Sequence, residues 1–417
     1  MGNPKTLLGA FRVIAFVQRI DPHSSRAFPS GMTGCRTGLG THPAVLSGLQ
    51  QHSSPGGGVR ALSDYGLDEL RGLFASWGFS AAHAVRVLRA LYSPDGMARG
   101  GRWPLPQGLA ERLRAPHSSL TSVAARQVSD DGTVKLLLQL GDGRAIESVL
   151  MPAYRADRAA GCLSSQVGCP MGCDFCATAK MGFERNLSAG EIVEQFLALR
   201  SEARSHGRRL QTAVFMGMGE PMLNLDNVVA AVERIAGNDL GGLGWRQVTV
   251  STVGIVPGIE ALAATRLGVN LAVSLHAPDD ETRARLLPAG KRFRVGDILE
   301  AAQAYQAAFG RPVSIQYCLL KDVNDSIPQA RRLAKLLSGR RMHVNLLRYN
   351  STGTGLRGAV YAPASDDDAG LFIAELRARG VVAHFRRARG TDIDAACGQL
   401  CRKGSATVSA AKNKIGG

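Results

Sequence analysis

From about residue 160 to residue 386 the chain alternates between short apolar runs and longer stretches with helical periodicity. The runs at 161–167, 212–217, 247–251, 269–275, 313–319, 342–347 and 381–385 read as strands. The stretches near 188–204, 225–237, 256–266, 279–287, 296–308, 326–338 and 366–379 read as helices. A helix between successive strands is a crossover connection, so the strands of such a series run parallel. The even spacing favours a closed or partly closed barrel over a flat doubly wound sheet. In barrels of this kind the chemistry gathers at the C-terminal ends of the strands.

The region before the alternation reads differently. Leu67, Leu70, Phe74 and Trp77 recur at helical spacing, as do Val85, Leu88 and Leu91, and Leu109 and Leu113 suggest a third short helix. The period then changes. Val134–Leu140 reads as a strand, Gly141-Asp142-Gly143 as a turn and Ala145–Met151 as a second strand, which together make a hairpin. The expected organisation is an extension over 1–60, a helical accessory domain over 61–120 and a hairpin connector over 121–155. A barrel over 156–390, a cysteine-bearing loop over 391–401 and a flexible basic tail over 402–417 complete it.

Composition bears on partners. The 417 residues carry 50 Lys and Arg against 34 Asp and Glu, a net charge of +16, and 45% of them are hydrophobic. A globular chain this basic points first to a nucleic acid. Both ends are basic: residues 1–63 contain one acid, Asp21, and residues 402–417 contain none. A surplus of bases remains without them. The first sixty residues, with an apolar stretch Leu7–Val17, have the composition of an organelle transit peptide. Met1-Gly2 with Thr6 also fits the loose myristoylation pattern. The favoured reading is a disordered extension on a cytoplasmic protein, joined through the linker-like Ser53-Ser54-Pro55-Gly56-Gly57-Gly58. No run approaches the ~20 apolar residues of a membrane span.

The eight cysteines, at 35, 162, 169, 173, 176, 318, 397 and 401, cluster in a way that suits a reducing compartment rather than a secreted disulfide scaffold. Cys169, Cys173 and Cys176 stand in a C-x-x-x-C-x-x-C run. Three thiolates so close can hold three irons of a four-iron cluster, leaving the fourth iron open to a small molecule. The plainer alternative is structural zinc, which takes four protein ligands. No second cysteine pair lies nearby, and Cys162 is the candidate for a fourth ligand. After the second strand comes Gly217-Met218-Gly219-Glu220-Pro221, whose glycines let backbone approach a ligand and whose carboxylate can bind a cationic amine. The third strand ends in Ser251-Thr252, the fourth in Ser274-Leu275-His276, and Asn350 follows the sixth. Each places a polar group on the same rim.

The stretch Cys162–Cys176 resembles the radical S-adenosylmethionine (SAM) enzymes that methylate adenosine in RNA, the RlmN/Cfr family. So do Gly217–Pro221, Ser274-Leu275-His276 and Asp392-Ile393-Asp394-Ala395-Ala396-Cys397-Gly398-Gln399-Leu400. The resemblance covers about residues 62–401 and implies a partial (β/α)6 radical-SAM barrel. It implies that Cys169, Cys173 and Cys176 hold a [4Fe-4S] cluster whose open iron is chelated by SAM. Gly219 and Glu220 would bind the SAM amino end, and Ser251, Ser274, Leu275, His276 and Asn350 would line the rest of its site. Cys397 would carry the methyl group, Cys162 would be the second redox-active cysteine, and Glu147 would be the catalytic carboxylate. The chain departs from the family at Arg348, where proline is common, and in the Ser80–Arg86 segment of the helical region.

The implied chemistry is coherent. Carbon 2 or 8 of adenine is electrophilic and cannot attack a SAM methyl group. One SAM would methylate Cys397, and a second, reduced by the cluster, would yield a radical that takes a hydrogen from the S-methyl group. The carbon radical would add to the adenine, Glu147 would remove the ring proton, and Cys162 would attack the Cys397 sulfur, leaving a disulfide for cellular thiols to reduce. The expected substrate is RNA, 23S rRNA with tRNA as a further target, and the expected product is 2-methyladenosine, with 8-methyladenosine as the rival. The expected electron donor is of flavodoxin or ferredoxin type, and the expected state is a monomer. Arg386, Arg387 and Arg389 are candidates for phosphate contacts. A radical-SAM enzyme on a non-RNA substrate, or an RNA-binding protein with a structural metal site, are the alternatives.

Overall fold

The computed structural model describes residues 61–93, 105–114 and 120–401. The Leu7–Val17 stretch, Cys35, the linker-like run at 53–58 and the basic residues after 401 lie outside the described residues, with the expectations attached to them.

Three short helices open the described chain: α1 (Leu67–Ser76), α2 (Ala82–Leu91) and α3 (Gln107–Arg114). Each buries residues three or four apart, the spacing that puts side chains on one helical face. These are Leu70 and Phe74 on α1, Ala84, Val87 and Leu88 on α2, and Leu109 and Leu113 on α3. Their apolar side chains belong to the same core as the sheet that follows. Polar contacts fasten the entry to α1. Ser63 Oγ donates to Glu194 Oε1 at 2.6 Å, and Asp64 Oδ1 accepts from Ser188 Oγ and from Gly190 N, both at 2.9 Å.

The main sheet has ten strands, with two further strands in a separate ribbon. Strands β1 (Thr121–Val128), β2 (Val134–Leu140), β3 (Ala145–Pro152) and β4 (Arg158–Cys162) form an antiparallel meander. β4 is also the first parallel strand. It is followed in spatial order by β7 (Arg209–Phe215), β8 (Val248–Thr252), β9 (Asn270–Ser274), β10 (Val313–Leu319), β11 (Met342–Arg348) and β12 (Ala383–Arg386). The crossovers run through α5 (Ala189–Ser205), α6 (Leu225–Ala236), α7 (Val256–Ala264), α8 (Asp280–Leu286) with α9 (Val295–Phe309), α10 (Ile327–Leu337) and α11 (Asp366–Ala378). Six strand–helix units and a seventh parallel strand thus make the partial (β/α)6 barrel that the family resemblance implied.

Two details differ from the sequence reading. The strand expected over 161–167 is divided. After β4 the chain leaves the main sheet and forms β5 (Gln166–Gly168), which pairs with β6 (Phe183–Asn186) across α4 (Ala177–Lys180). The hydrogen bonds that Ser165 N and Gln166 N make to Met218 O, 2.8 and 3.2 Å, turn the chain there. β1 was not anticipated as a strand. Its residues are exposed or half-buried at the sheet edge, so no alternation marks it, and its pairing with β2 holds it.

The long core runs from Phe74 through Leu138, Phe196, Val250 and Val344 to Phe372. Burying each such side chain contributes about 2 kcal/mol. A second, smaller cluster of Phe175, Leu286, Leu287, Cys318, Leu320 and Tyr349 lies under the three-cysteine loop. Among the described residues no helix is long and apolar enough to cross a membrane.

Candidate active site at the C-terminal rim of the sheet

The Cys169–Cys176 loop owes its shape to glycine. Gly168 has φ 76° and Gly172 φ 64°, a region that side chains with a Cβ avoid. A Cβ at 168 would overlap the carbonyl of Gly182, to which Cys169 N donates at 2.9 Å. Asp174 then ties the loop across the rim. Its N–H donates to Leu286 O at 3.0 Å, and its carboxylate accepts from Arg357 N at 2.8 Å and from Tyr361 OH at 2.7 Å. Segments that follow β9 and β11 are thereby drawn over the end of β4.

Burial pushes the Cys169 thiol up to about 12 and the Cys173 thiol well above its usual value, and the charge of Cys176 adds to both. Thiols that oppose one another's ionisation are poised for a metal group, whose positive charge favours the thiolates. Among the described residues no three His, Cys, Asp or Glu side chains converge on one ion. A four-iron cluster spreads its ligands more widely than a single tetrahedral ion does. Cys162, the fourth ligand that zinc would need, is buried on β4, and the cysteine whose ionisation acts on it is Cys397. The donor set fits a cluster held by three thiolates.

The adjacent residues fit SAM. A Cβ on Gly217 would lie 2.7 Å from Ser164 Oγ, and one on Gly219, which has φ 105°, 2.7 Å from Gln166 Cβ. These two positions admit backbone alone. Glu220 is 2% exposed. Its carboxylate accepts from Met222 N at 3.1 Å and Val253 N at 2.8 Å, and no ion pair of the described residues includes it. Burial raises its pKa to about 7 against those hydrogen bonds. A cationic amine beside it would restore the ionised form.

Ser251 is buried at the end of β8 and Ser274 half-buried at the end of β9. Leu275 N donates to Gln316 O at 3.0 Å. His276 has φ 58°, accepts from Cys318 N on Nδ1 at 3.0 Å, and meets the Phe175 ring edge-on at 5.1 Å between centroids. Burial, followed by the charge of Arg283, lowers its pKa to about 3, so the ring is neutral with its proton on Nε2. Asn350 stands at the margin, half-buried, with only a long 3.5 Å contact from Nδ2 to Arg348 O. Arg348 points outward to Asp366 Oδ1 at 2.8 Å.

The Cys397 loop comes from the far end of the chain and is anchored on three sides. At the β1–β2 turn, Asp392 accepts from Ser129 Oγ at 2.6 Å and from Asp130 N at 3.2 Å, and Gly390 N donates to Asp131 Oδ2 at 3.1 Å. At the helix after Cys176, Ala177 N donates to Gly398 O and Thr178 Oγ1 to Leu400 O, both at 2.7 Å. On β3, Glu147 accepts from Cys401 N at 2.8 Å. Cys397 keeps contact with solvent while protein crowds its other sides. That crowding raises its thiol, and the nearby Arg386 charge works the other way. Burial, followed by the charge of Cys397, pushes Cys162 up to about 12. Both cysteines are free thiols, and the disulfide expected of the reaction is not formed in this structure.

Three features of the site escaped the sequence reading. Lys135 Nζ pairs with Glu147 Oε1 at 3.2 Å, both side chains being buried at 4% and 1% exposure, and donates to Asp394 O at 3.3 Å. The β1–β2 turn carries the Cys397 loop, and Asp174 closes the rim. A signal existed for Lys135. In the hairpin register Lys135 faces Val149, two residues from Glu147, so the pair are diagonal neighbours on one face.

This arrangement is that of a radical-SAM enzyme, and residues 163–334 match the model of the Radical SAM superfamily. A solved radical SAM methyltransferase from Sphaerobacter thermophilus is 40% identical, covers 82% of this chain and 99% of its own, and superposes with a TM-score of 0.76. A protein of Opitutus terrae named "probable dual-specificity RNA methyltransferase RlmN 1" is 66% identical over 347 residues, 82% of this chain and 97% of the relative. A Thermus thermophilus protein named "probable dual-specificity RNA methyltransferase RlmN" is 46% identical over 320 residues, 76% of this chain and 88% of its own. The chain belongs to the RlmN family of radical-SAM RNA methyltransferases.

Proposed function

We propose that the protein methylates a ring carbon of adenine in RNA, C2 in preference to C8, through an S-methylated Cys397. The observation that carries this is the docking of the Cys397 loop on the helix that leaves Cys176, with Cys162 in electrostatic reach. When bound, the [4Fe-4S] cluster and SAM would supply the methyl group and the one-electron chemistry that an electrophilic ring carbon requires. Cys169, Cys173 and Cys176 would hold the cluster. Gly219, Glu220, Ser251, Ser274, Leu275, His276 and Asn350 would surround SAM, with Glu220 on its amine.

The thiolate of Cys397 is the form that accepts a methyl group, and its proton leaves to solvent. Arg386 favours that thiolate. Glu147 would take the proton from the adenine ring. Its oxygens are held by Lys135 and by Cys401 N, so the end of the loop must release one of them when RNA enters. Cys162 keeps its proton until it attacks the Cys397 sulfur. That attack forms an S–S bond and breaks the carbon–sulfur link to the RNA, the electron pair staying on the methylene carbon, which takes up a proton to complete the methyl group, and cellular thiols reduce the disulfide.

The RNA class rests on the names of the relatives and on the basic surface. The proposed targets are 23S rRNA and tRNA. Residues 61–120, together with exposed Arg386 and Arg387 and half-buried Arg389, would meet phosphates. The target base would leave its stack to reach the site. A flavodoxin- or ferredoxin-type donor, a monomeric state and a cytoplasmic location complete the reading.

Nucleoside analysis of rRNA and tRNA from cells with and without the protein tests it. Loss of 2-methyladenosine is expected. Loss of 8-methyladenosine instead would move the product to C8, and loss of neither would overturn the reading. In purified protein, Cys162→Ala should accumulate a covalent protein–RNA adduct that is absent from Cys397→Ala.

A further inference from the structure

Arg283, on α8, is 1% exposed and pairs with no carboxylate among the described residues. Its Nη2 donates to Val253 O, while Nε and Nη1 have no partner among the described residues. A buried guanidinium is normally saturated, because each unmade bond leaves the group stripped of water with nothing in return. Two free donors on one buried side chain therefore call for an acceptor.

The surroundings identify its place. Val253, which accepts from Arg283, donates its own N–H to Glu220. The helix that bears Arg283 also receives the cysteine loop, since Asp174 N donates to Leu286 O at 3.0 Å. Cys173 packs against the small cluster of Leu286 and Leu287, with Val253 beside it. Burial lowers the Arg283 pKa to about 10, and of the groups whose charge opposes that shift Cys173 comes first and Asp280 second.

We propose that Arg283 is a positioning residue for the iron–sulfur cluster, donating from its free Nε and Nη1 to the anionic sulfur edge at Cys173 and so raising the cluster's reduction potential. Hydrogen bonds to the sulfurs and local net charge are two of the terms that set such potentials. The planar, permanently charged fork of arginine suits the task better than the single point charge of lysine. The inference rests on the radical-SAM reading and adds to it a residue outside the cysteine and glycine motifs.

The test uses the full-length protein, reconstituted anaerobically, with iron and sulfide content measured and the cluster titrated by electron paramagnetic resonance in the absence of SAM. Arg283→Met is expected to take up a full cluster and to shift its midpoint to more negative potential. Arg283→Lys is expected to shift it less, and SAM affinity is expected to change less than threefold in either variant. An unchanged midpoint in Arg283→Met would overturn the proposal. If that unchanged midpoint came with SAM binding weakened more than tenfold, the donors would belong to the SAM carboxylate. Should Arg283→Met fail to take up iron, Arg283→Lys carries the test, and an unchanged midpoint there overturns the proposal. A wild-type protein that took up no cluster would instead sink the functional reading.

Discussion

The loop bearing Cys169, Cys173 and Cys176 and the loop bearing Cys397 meet on one rim, but different forces shape them. The first takes its turn from its own chain: three cysteines lie within eight residues, turned by Gly168 and Gly172 and closed by a bond from Cys169 to Gly182, and Asp174 ties it to the distant Leu286, Arg357 and Tyr361. The second holds little by itself beyond the Ala395–Gly390 and Gln399–Ala396 bonds. Its position comes from Ser129, Asp131, Lys135, Glu147, Ala177 and Thr178, all more than two hundred residues earlier. In the proposed function Cys397 accepts a methyl group, then meets RNA and then a second thiol, a sequence that suits a segment whose anchors can be exchanged. On this comparison, damage to the first loop should abolish cluster binding, and damage to the anchors of the second should spare it.

The largest effect is expected at Gly168. Gly168→Ala adds a Cβ that overlaps the Gly182 carbonyl at a φ of 76°. It should cost about 3 kcal/mol or more and lose most iron on reconstitution. Full iron content in that variant would break the claim that the loop's turn is locally determined. Lys135→Met comes next. It leaves Glu147 as a buried carboxylate without its cation, which should cost about 3 kcal/mol in urea unfolding and expose the Cys397 loop to limited proteolysis, with iron content unchanged. A protected loop would show that the other two anchors suffice.

The smallest effect is one of pH. His276 has its folded pKa lowered to about 3 by burial, so the unfolded chain binds the extra proton first. Its contribution to stability is complete above about pH 6.5 and is lost as pH falls from there towards 3. His276→Asn keeps an acceptor for Cys318 N and tolerates the positive φ. It should flatten the acid limb of the stability–pH profile in apoprotein. An unchanged limb would assign the acid sensitivity elsewhere.

Much of this was legible in the sequence. Helices and parallel strands follow from periodicity, which depends on neighbours two to four residues apart, and most boundaries agree to within two residues. The exceptions are instructive. β1 has no buried face to mark it, and the strand expected at 161–167 breaks because Met218 O captures two N–H groups from a distance. The cysteine triplet and the Gly217–Glu220 turn were legible as chemistry because their spacing is the chemistry. Glu147, Cys162 and Cys397 were singled out only through family resemblance, since no local pattern separates them from ordinary core or loop residues.

By itself, then, the chain determined the alternating fold and a three-thiol site at the end of its first parallel strand, because both are written in short-range spacing. The tertiary structure alone decided that Cys162 is buried at the end of β4 with Cys397 acting on it, that Lys135 holds Glu147, and that Arg283 is buried on α8 with donors to spare. Those are relations among residues brought together by closing long loops. What enforces them is exclusion of water from charged groups, which no stretch of sequence experiences until the rim has closed.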